Sequence, residues 1–203
     1  MLLHTFTFDV ERAIEVGEEA LLLARAVGEN ELLAFVTNDL HRPYVFSGRL
    51  ERAGVLLAEA RARWRSLGNR PMLVDSLASQ AGLDFLTGNY DRAIEVSEEA
   101  SQIGQAMDND WGRAFGRSFE GQIFFERGQI DRAIATMEEA VRMGERSGHP
   151  IAITGTPAQF AYALGLLGAI DRGMEIARQG IAAAERAFPT LRSWPLAALA
   201  RLQ

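Results

Sequence analysis

The chain has 203 residues, of which 48% are hydrophobic and 24% are charged, a composition typical of a globular protein rather than a disordered one. Its net charge of −6 disfavours attraction to nucleic-acid phosphates, so we expect no direct nucleic-acid binding. The apolar runs are too short to span a bilayer and the N-terminus lacks a signal-peptide pattern, which predicts a cytoplasmic protein with no membrane partner.

Two missing residue types restrict the chemistry of the chain. It has no cysteine, and all 21 of its basic residues are arginine. Thiolate nucleophiles, cysteine-ligated metals, lysine Schiff bases and phosphate-loop lysines are therefore excluded. The three histidines show no metal-ligand spacing, and neighbouring glutamates on a helix do not converge on one substrate. We predict no catalytic residue, no metal site, no cofactor and no enzyme activity.

A repeat with a period of 40 residues runs along the chain. Ungapped self-similarity at a period of this size is typical of stacked-repeat proteins. Five blocks fall into register: ERAIEVGEEA at 11–20, ERAGVLLAEA at 51–60, DRAIEVSEEA at 91–100, DRAIATMEEA at 131–140 and DRGMEIARQG at 171–180.

The periodicity inside each block is helical, because small and apolar residues such as Ala93, Ile94, Ser97 and Ala100 fall on one face. Glycines before the last four blocks, and turn residues about 20 residues later, indicate where helices end. The predicted first helices of the units are 31–46, 71–87, 111–127 and 151–167. The predicted second helices are 50–67, 90–107, 130–147 and 170–187.

These helices predict an all-α fold, in which antiparallel pairs stack because one pair cannot bury its own apolar faces. We expect an α-solenoid, a right-handed superhelix of about nine to ten helices, forming one repeat array over 1–203. Both ends read as incomplete units, which fits either a piece of a longer protein or a homodimer through the terminal helices. The units are 1–30 (partial), 31–70, 71–110, 111–150, 151–190 and 191–203 (partial).

A family resemblance rests on the glycine, aromatic and alanine positions of the blocks. Gly88, Tyr90, Ala93 and Ala100 match the pattern of the tetratricopeptide repeat (TPR) residue by residue. Gly128, Ala133 and Ala140 match it again, with Ile130 in place of the aromatic residue. The small packing residue of the preceding helix is present in three units and is replaced by histidine in the first: Ala81, Gly121, Ala161 and His41. The chain resembles the TPR family, and its 40-residue unit resembles the MalT-like variant.

The resemblance implies that the first helix of each unit lines a concave groove. Small residues there leave space, aromatic residues offer apolar contact, and polar residues offer directed hydrogen bonds or pair with an acidic group. The aromatic residues could equally pack between units. The candidate groove residues are Phe35, Asn38, Arg42, Asp75, Phe85, Arg113, Phe115, Arg117, Ser118, Gln122, Phe125 and Tyr162.

The predicted function is a non-catalytic module that binds a protein or peptide partner in this groove. The resemblance implies that the chain is the TPR region of a larger bacterial signalling or transcriptional regulator. Two alternatives stay open. One is a small-effector-sensing domain of a LuxR- or MalT-type regulator or of a nucleotide cyclase. The other is a scaffold that self-associates through exposed terminal helices.

Overall fold

The computed structural model describes residues 1–7 and 9–203, which form α-helices and a short 3-10 helix with no β-strand among them. The predicted all-α repeat fold is confirmed. The helices are α1 (Leu2–Phe6), α2 (Val10–Val27), α3 (Asn30–Phe46), α4 (Leu50–Leu67), α5 (Arg70–Leu86), α6 (Tyr90–Gln105), α7 (Asp110–Glu126), α8 (Ile130–Ser147), α9 (Pro150–Leu166), α10 (Ile170–Ala187) and α11 (Ser193–Leu202), with the 3-10 helix at Pro189–Leu191.

The helix starts follow the repeat. Helices α3, α5, α7 and α9 begin 40 residues apart, and so do α4, α6, α8 and α10. Every predicted boundary lies within one residue of the observed one, except the end of α6. None of the helices in the described residues has the length and apolar content that crossing a membrane requires.

Left-handed glycines end the helices, because a residue without Cβ adopts positive φ at little cost. Seven glycines in these turns have φ between 66° and 81°. At the end of α6 the corresponding residue is Asp108, which has a φ of 53°. Among the described residues it is the one non-glycine residue with positive φ. The carbonyl of Gly104 accepts from the amides of Met107 and Asn109 at 3.1 and 2.9 Å. This turn ends α6 two residues before the predicted position.

We expect Asp108→Gly to raise the free energy of unfolding by about 1 kcal/mol, because aspartate is strained in the left-handed region and glycine is not. Urea denaturation followed by circular dichroism measures the change. The matched control is Gly148→Asp, since Gly148 has φ of 73° at the corresponding position. This control should lower stability by a similar amount, and equal stability of Asp108→Gly and the native protein would contradict the assignment.

The chain divides into two compact units, Met1–Val96 and Ser97–Gln203. In the first unit, α2 to α5 pack in chain order around a core that includes Leu21, Leu40 and Leu56. In the second unit, α7 to α10 also pack in chain order, and α11 lies against α9 and α10. Within each unit, neighbouring helices in the sequence therefore bury their apolar faces against one another.

Small residues let neighbouring helices approach closely. Ala53, Ala93 and Ala133 of the repeated blocks are at most 1% exposed. On α7, a Cβ added to Gly121 would lie 2.6 Å from Cγ of Met137 on α8, closer than atoms can pack. These positions therefore mark helix–helix contacts, as the repeat pattern predicted.

Helix α11 is packed along one side only. Ala198 is buried beside Ala158 and Ala161 of α9, and Leu202 lies against the same cluster. Leu196 on the outer side is 44% exposed. The inner side of this helix is therefore covered within its own unit.

Candidate binding site

Four polar side chains of α3 and α5 form a cluster in the first unit. The Asn38 amide nitrogen Nδ2 donates to Asp75 Oδ2 at 3.0 Å, and Arg42 Nη2 lies 3.4 Å from the same oxygen. Arg42 Nη1 donates to Asp39 Oδ1 at 2.6 Å. This polar cluster, formed by Asn38, Asp39, Arg42 and Asp75, joins the first helices of two adjacent repeats. The structure thus brings together three predicted groove residues, Asn38, Arg42 and Asp75.

The side-chain oxygen of Asn38 is the unsatisfied atom of the polar cluster. Asn38 is fully buried, and its Oδ1 accepts no hydrogen bond from any described residue. The amide orientation follows from Asp75, because a carboxylate accepts from Nδ2 and cannot donate to Oδ1. A buried acceptor without a donor costs about 1–3 kcal/mol. The cluster can therefore gain from a group that brings an N–H or O–H to this oxygen.

Arg42 is the cation of the polar cluster and lies between two carboxylates, and its side chain is 23% exposed. Burial lowers the pKa of its guanidinium, but the carboxylates of Asp75 and Asp39 raise it by more, so Arg42 stays cationic. His41 lies behind it, with Nδ1 donating to the backbone oxygen of Asn38. Burial, and then the charge of Arg42, lower the pKa of His41 to about 3. The histidine is therefore neutral near pH 7.

The aromatic groove candidates of the first unit pack on other rings. Phe35 is 40% exposed and meets the buried ring of Trp64 edge-on, with centroids 4.9 Å apart. Phe85 stacks on Tyr90 at 5.8 Å and is partly buried. Phe35 lies three residues before Asn38 and seven before Arg42, so all three share one side of α3. Phe35 therefore adds an accessible apolar surface beside the polar cluster.

In the second unit, hydrogen bonds between neighbouring residues engage Ser118 and Gln122. The Ser118 hydroxyl donates to the backbone oxygen of Ala114 at 2.8 Å and accepts from Thr156 Oγ1 at 2.6 Å. Gln122 Nε2 donates to the backbone oxygen of Ser118 at 3.1 Å. Ser118 thus joins α7 to α9 and is buried, whereas Gln122 remains partly exposed.

The aromatic candidates of the second unit differ in accessibility. Phe115 stacks on the buried ring of His149 at 4.7 Å, and Phe125 packs against the cluster that contains Phe160. Tyr162 is 39% exposed, with the guanidinium of Arg201 5.4 Å from its ring centroid. Of these three aromatic residues, Tyr162 offers the most accessible ring.

Both arginine candidates of α7 are paired with carboxylates. Arg113 Nη1 donates to Asp110 Oδ1 at 3.1 Å. Arg117 Nη1 donates to Glu120, and its Nε lies 3.4 Å from Glu139. The buried Glu120 also accepts from the Ser97 hydroxyl at 2.5 Å. Arg117 therefore sits in a network that joins α6, α7 and α8, and a partner's carboxylate would compete with this network.

His149 has a structural role that was not predicted from the sequence. His149 is buried at the start of α9, where Nδ1 accepts from the backbone amide of Ala152 at 3.4 Å. Asn69 and Asn109 precede α5 and α7 at the corresponding positions and accept from backbone amides in the same way. Because positions 69, 109 and 149 are equivalent in the 40-residue period, the two asparagines could have indicated a helix cap at His149. Among the residues described, no group of three histidine, aspartate or glutamate side chains could hold a metal ion.

Comparisons with known proteins bear on the fold. No protein-family model matches the chain, and no curated protein matches it. Solved structures are similar to it at low sequence identity. BtubC of P. vanneervenii has a TM-score of 0.68 and 20% identity over 95% of this chain and 82% of its own. A putative kinesin light chain with TPR-like repeats from Podosopora anserina has a TM-score of 0.61 and 19% identity over 90% of each chain.

A third similar structure is that of Rap protein complexed with competence and sporulation factor, with a TM-score of 0.81 and 13% identity. The match covers 99% of this chain and 60% of Rap. Identities at this level establish a shared fold and nothing finer. The chain thus has the fold of the TPR-like helical repeat proteins.

Proposed function

We propose that the chain is a non-catalytic interaction module, which binds a peptide segment of a partner protein on the side of α3 that carries Phe35, Asn38 and Arg42. The observation that carries this proposal is the buried Asn38 Oδ1 without a donor, in a side chain that shares Asp75 Oδ2 with the partly exposed guanidinium of Arg42. The Rap structure, a complex with competence and sporulation factor, supports the use of this fold for binding.

A peptide supplies the three groups that this surface can recognise. A backbone N–H can donate to Asn38 Oδ1 when the side chains that cover this fully buried oxygen move aside, and the bond then satisfies the acceptor. A carboxylate, from an acidic side chain or the chain end, can accept from the Arg42 guanidinium in place of Asp39. An apolar side chain can cover the exposed part of Phe35. An acidic and apolar peptide is therefore the partner we expect.

The setting of this module is a further part of the proposal. The 40-residue period and the block sequences resemble the MalT-like variant of the TPR. In this setting the chain is a region of a bacterial signalling or transcriptional regulator and works in the cytoplasm. Binding of the peptide segment would then control an attached domain.

The experiment is selection of peptides from a displayed random library on the native protein, followed by affinity measurements with the synthetic peptides. Arg42→Gln is expected to weaken binding about tenfold to hundredfold, because a hydrogen bond to a charged group contributes about 1.5–3 kcal/mol. The matched control is Arg12→Gln, since Arg12 also bonds a carboxylate three residues away at 2.6 Å but lies on α2.

Circular dichroism checks that both variants fold. Selected peptides that bind Arg42→Gln as tightly as the native protein would rule out this surface. A selection that yields no binding peptide would rule out the peptide-binding function itself.

A further inference from the structure

A shallow cavity of about 290 Å³, largely open to solvent, lies between α4, α5 and α6 in the first unit. It lies on the other side of α5 from the polar cluster, because Asp84 follows Asp75 by nine residues, which is half a turn at about 100° per residue. Its volume is at the lower end of ligand sites, on the order of 300 Å³. The lining includes Glu51, Gly54, Arg61, Gln80, Asp84 and Arg92.

The cavity exists because glycine replaces a large residue of the repeat. In the other blocks the position of Gly54 is occupied by Ile14, Ile94, Ile134 and Met174. A Cβ at Gly54 would have its nearest neighbour at 3.4 Å, the Cδ2 atom of Leu83, which is an ordinary contact. Packing therefore does not require glycine, although glycine inside a helix is less stable than alanine. Glycine at position 54 therefore leaves an open space and lowers the stability of α4.

The floor of the cavity is polar where the same positions in other units are mostly apolar. Gln80 and Asp84 are each 5% exposed, and Gln80 Nε2 donates to Asp84 Oδ1 at 2.9 Å. Asp84 Oδ2 accepts no hydrogen bond from the described part of the chain, although Arg92 Nε lies 3.4 Å from it. A buried carboxylate is costly unless its oxygens are bonded. The corresponding pairs are Leu40 and Tyr44, Glu120 and Phe124, and Phe160 and Leu164.

The charges around the cavity are balanced, and one ion pair among them joins Asp84 to Arg92. Asp84 lies at the floor, while the Arg92 side chain is 61% exposed at the mouth. Glu51 and Arg61 add one charge of each sign to the lining. A ligand that is neutral overall but carries a cation at one end and an anion at the other matches this arrangement.

We propose that this Gly54 cavity binds a free amino acid, with its ammonium group on Asp84 Oδ2 and its carboxylate on the Arg92 guanidinium. The ammonium supplies the hydrogen bond that Asp84 Oδ2 lacks, and the carboxylate takes over Arg92, which turns from Asp84 to the ligand. Burial raises the pKa of Asp84, while Gln80, Arg92 and Arg61 lower it in part. A cation at the floor therefore relieves the desolvation of this carboxyl group.

The experiment measures the thermal midpoint of the full chain with each of the common L-amino acids, and then titrates the best of them by calorimetry. At least one amino acid is expected to raise the midpoint. Gly54→Ile, which restores the residue of the other blocks, should abolish binding and raise the midpoint of the free protein. Asp84→Asn should weaken binding at least about tenfold, the loss of one charge-assisted hydrogen bond. Glu95→Gln, on the exposed side of α6, is the matched control and should bind like the native protein.

Three results would overturn the proposal: no amino acid shifts the midpoint, Gly54→Ile binds as the native protein does, or acetate or methylamine alone shifts it as much as the amino acid. If Gly54→Ile fails to fold, unchanged affinity of Asp84→Asn has the same force. None of these results depends on Arg42, so the outcome is separate from that of the peptide experiment.

Discussion

Replacement of Asp75 by alanine is expected to lower the free energy of unfolding by about 3 kcal/mol, the cost of breaking a largely buried charge pair. Asp75 Oδ2 is the acceptor for Asn38 Nδ2 and lies 3.4 Å from Arg42 Nη2. Without this oxygen, a fully buried amide loses its acceptor and a desolvated guanidinium keeps only Asp39. Urea denaturation at neutral pH, followed by circular dichroism, gives the loss directly.

The control for this prediction is Asp39→Ala, which removes the other carboxylate of Arg42 but leaves Asn38 bonded to Asp75. It should cost about 1 kcal/mol, because Arg42 keeps one buried partner. The double variant Asp75→Leu/Arg42→Met removes both charges. Its loss of stability should be smaller, by about 1.5 kcal/mol or more, than the sum of the losses measured separately for Asp75→Leu and Arg42→Met. Equal effects of Asp75→Ala and Asp39→Ala would show that the interhelical bond contributes nothing.

The helix boundaries could be read from the sequence because each depends on local residues. A glycine in the left-handed region ends a helix wherever it stands in the chain, so the repeated turns place both ends of each pair. The error at the end of α6 has the same cause, since Asp108 substitutes for the glycine of the corresponding turns. Within each unit the sequential packing of helices was also predictable, because each helix pair has apolar faces that a neighbouring helix must cover.

The site was less predictable, because its contacts link residues far apart in the sequence. The period places Asn38 and Asp75 on corresponding helices, but their hydrogen bond depends on how the two helices pack. The hydroxyl of Ser118, another candidate groove residue, accepts a hydrogen bond from Thr156, 38 residues away. No local sequence pattern predicts either hydrogen bond, since serine and asparagine are mostly found at exposed positions.

The Gly54 cavity shows a signal that was present in the sequence but needed the structure to be understood. The block ERAGVLLAEA has glycine where the other four have isoleucine or methionine. From the sequence alone, this glycine is a single exception among five blocks and does not indicate a cavity. Its meaning appears when α5 places the buried Gln80 and Asp84 opposite the missing side chain.

His41 is expected to make the protein lose about 2 kcal/mol of stability between about pH 7 and about pH 5. Burial and the charge of Arg42 hold its pKa at about 3 in the folded protein, against the opposing effects of the Asn38 carbonyl and Asp75. The unfolded chain has an ordinary histidine pKa of about 6.5. Below that pH the unfolded chain takes up a proton that the folded protein does not, so stability falls as the pH falls.

His41→Ala tests this prediction, because alanine is the residue that α5 and α9 carry at the same position, Ala81 and Ala161. The absolute stability of the variant does not affect the test, since the readout is the change in its free energy of unfolding between the two pH values. This change should be smaller than in the native protein by about 2 kcal/mol, the linkage from one histidine. Parallel pH profiles of the two proteins would mean that His41 takes up its proton in the folded protein, and that burial and Arg42 do not lower its pKa.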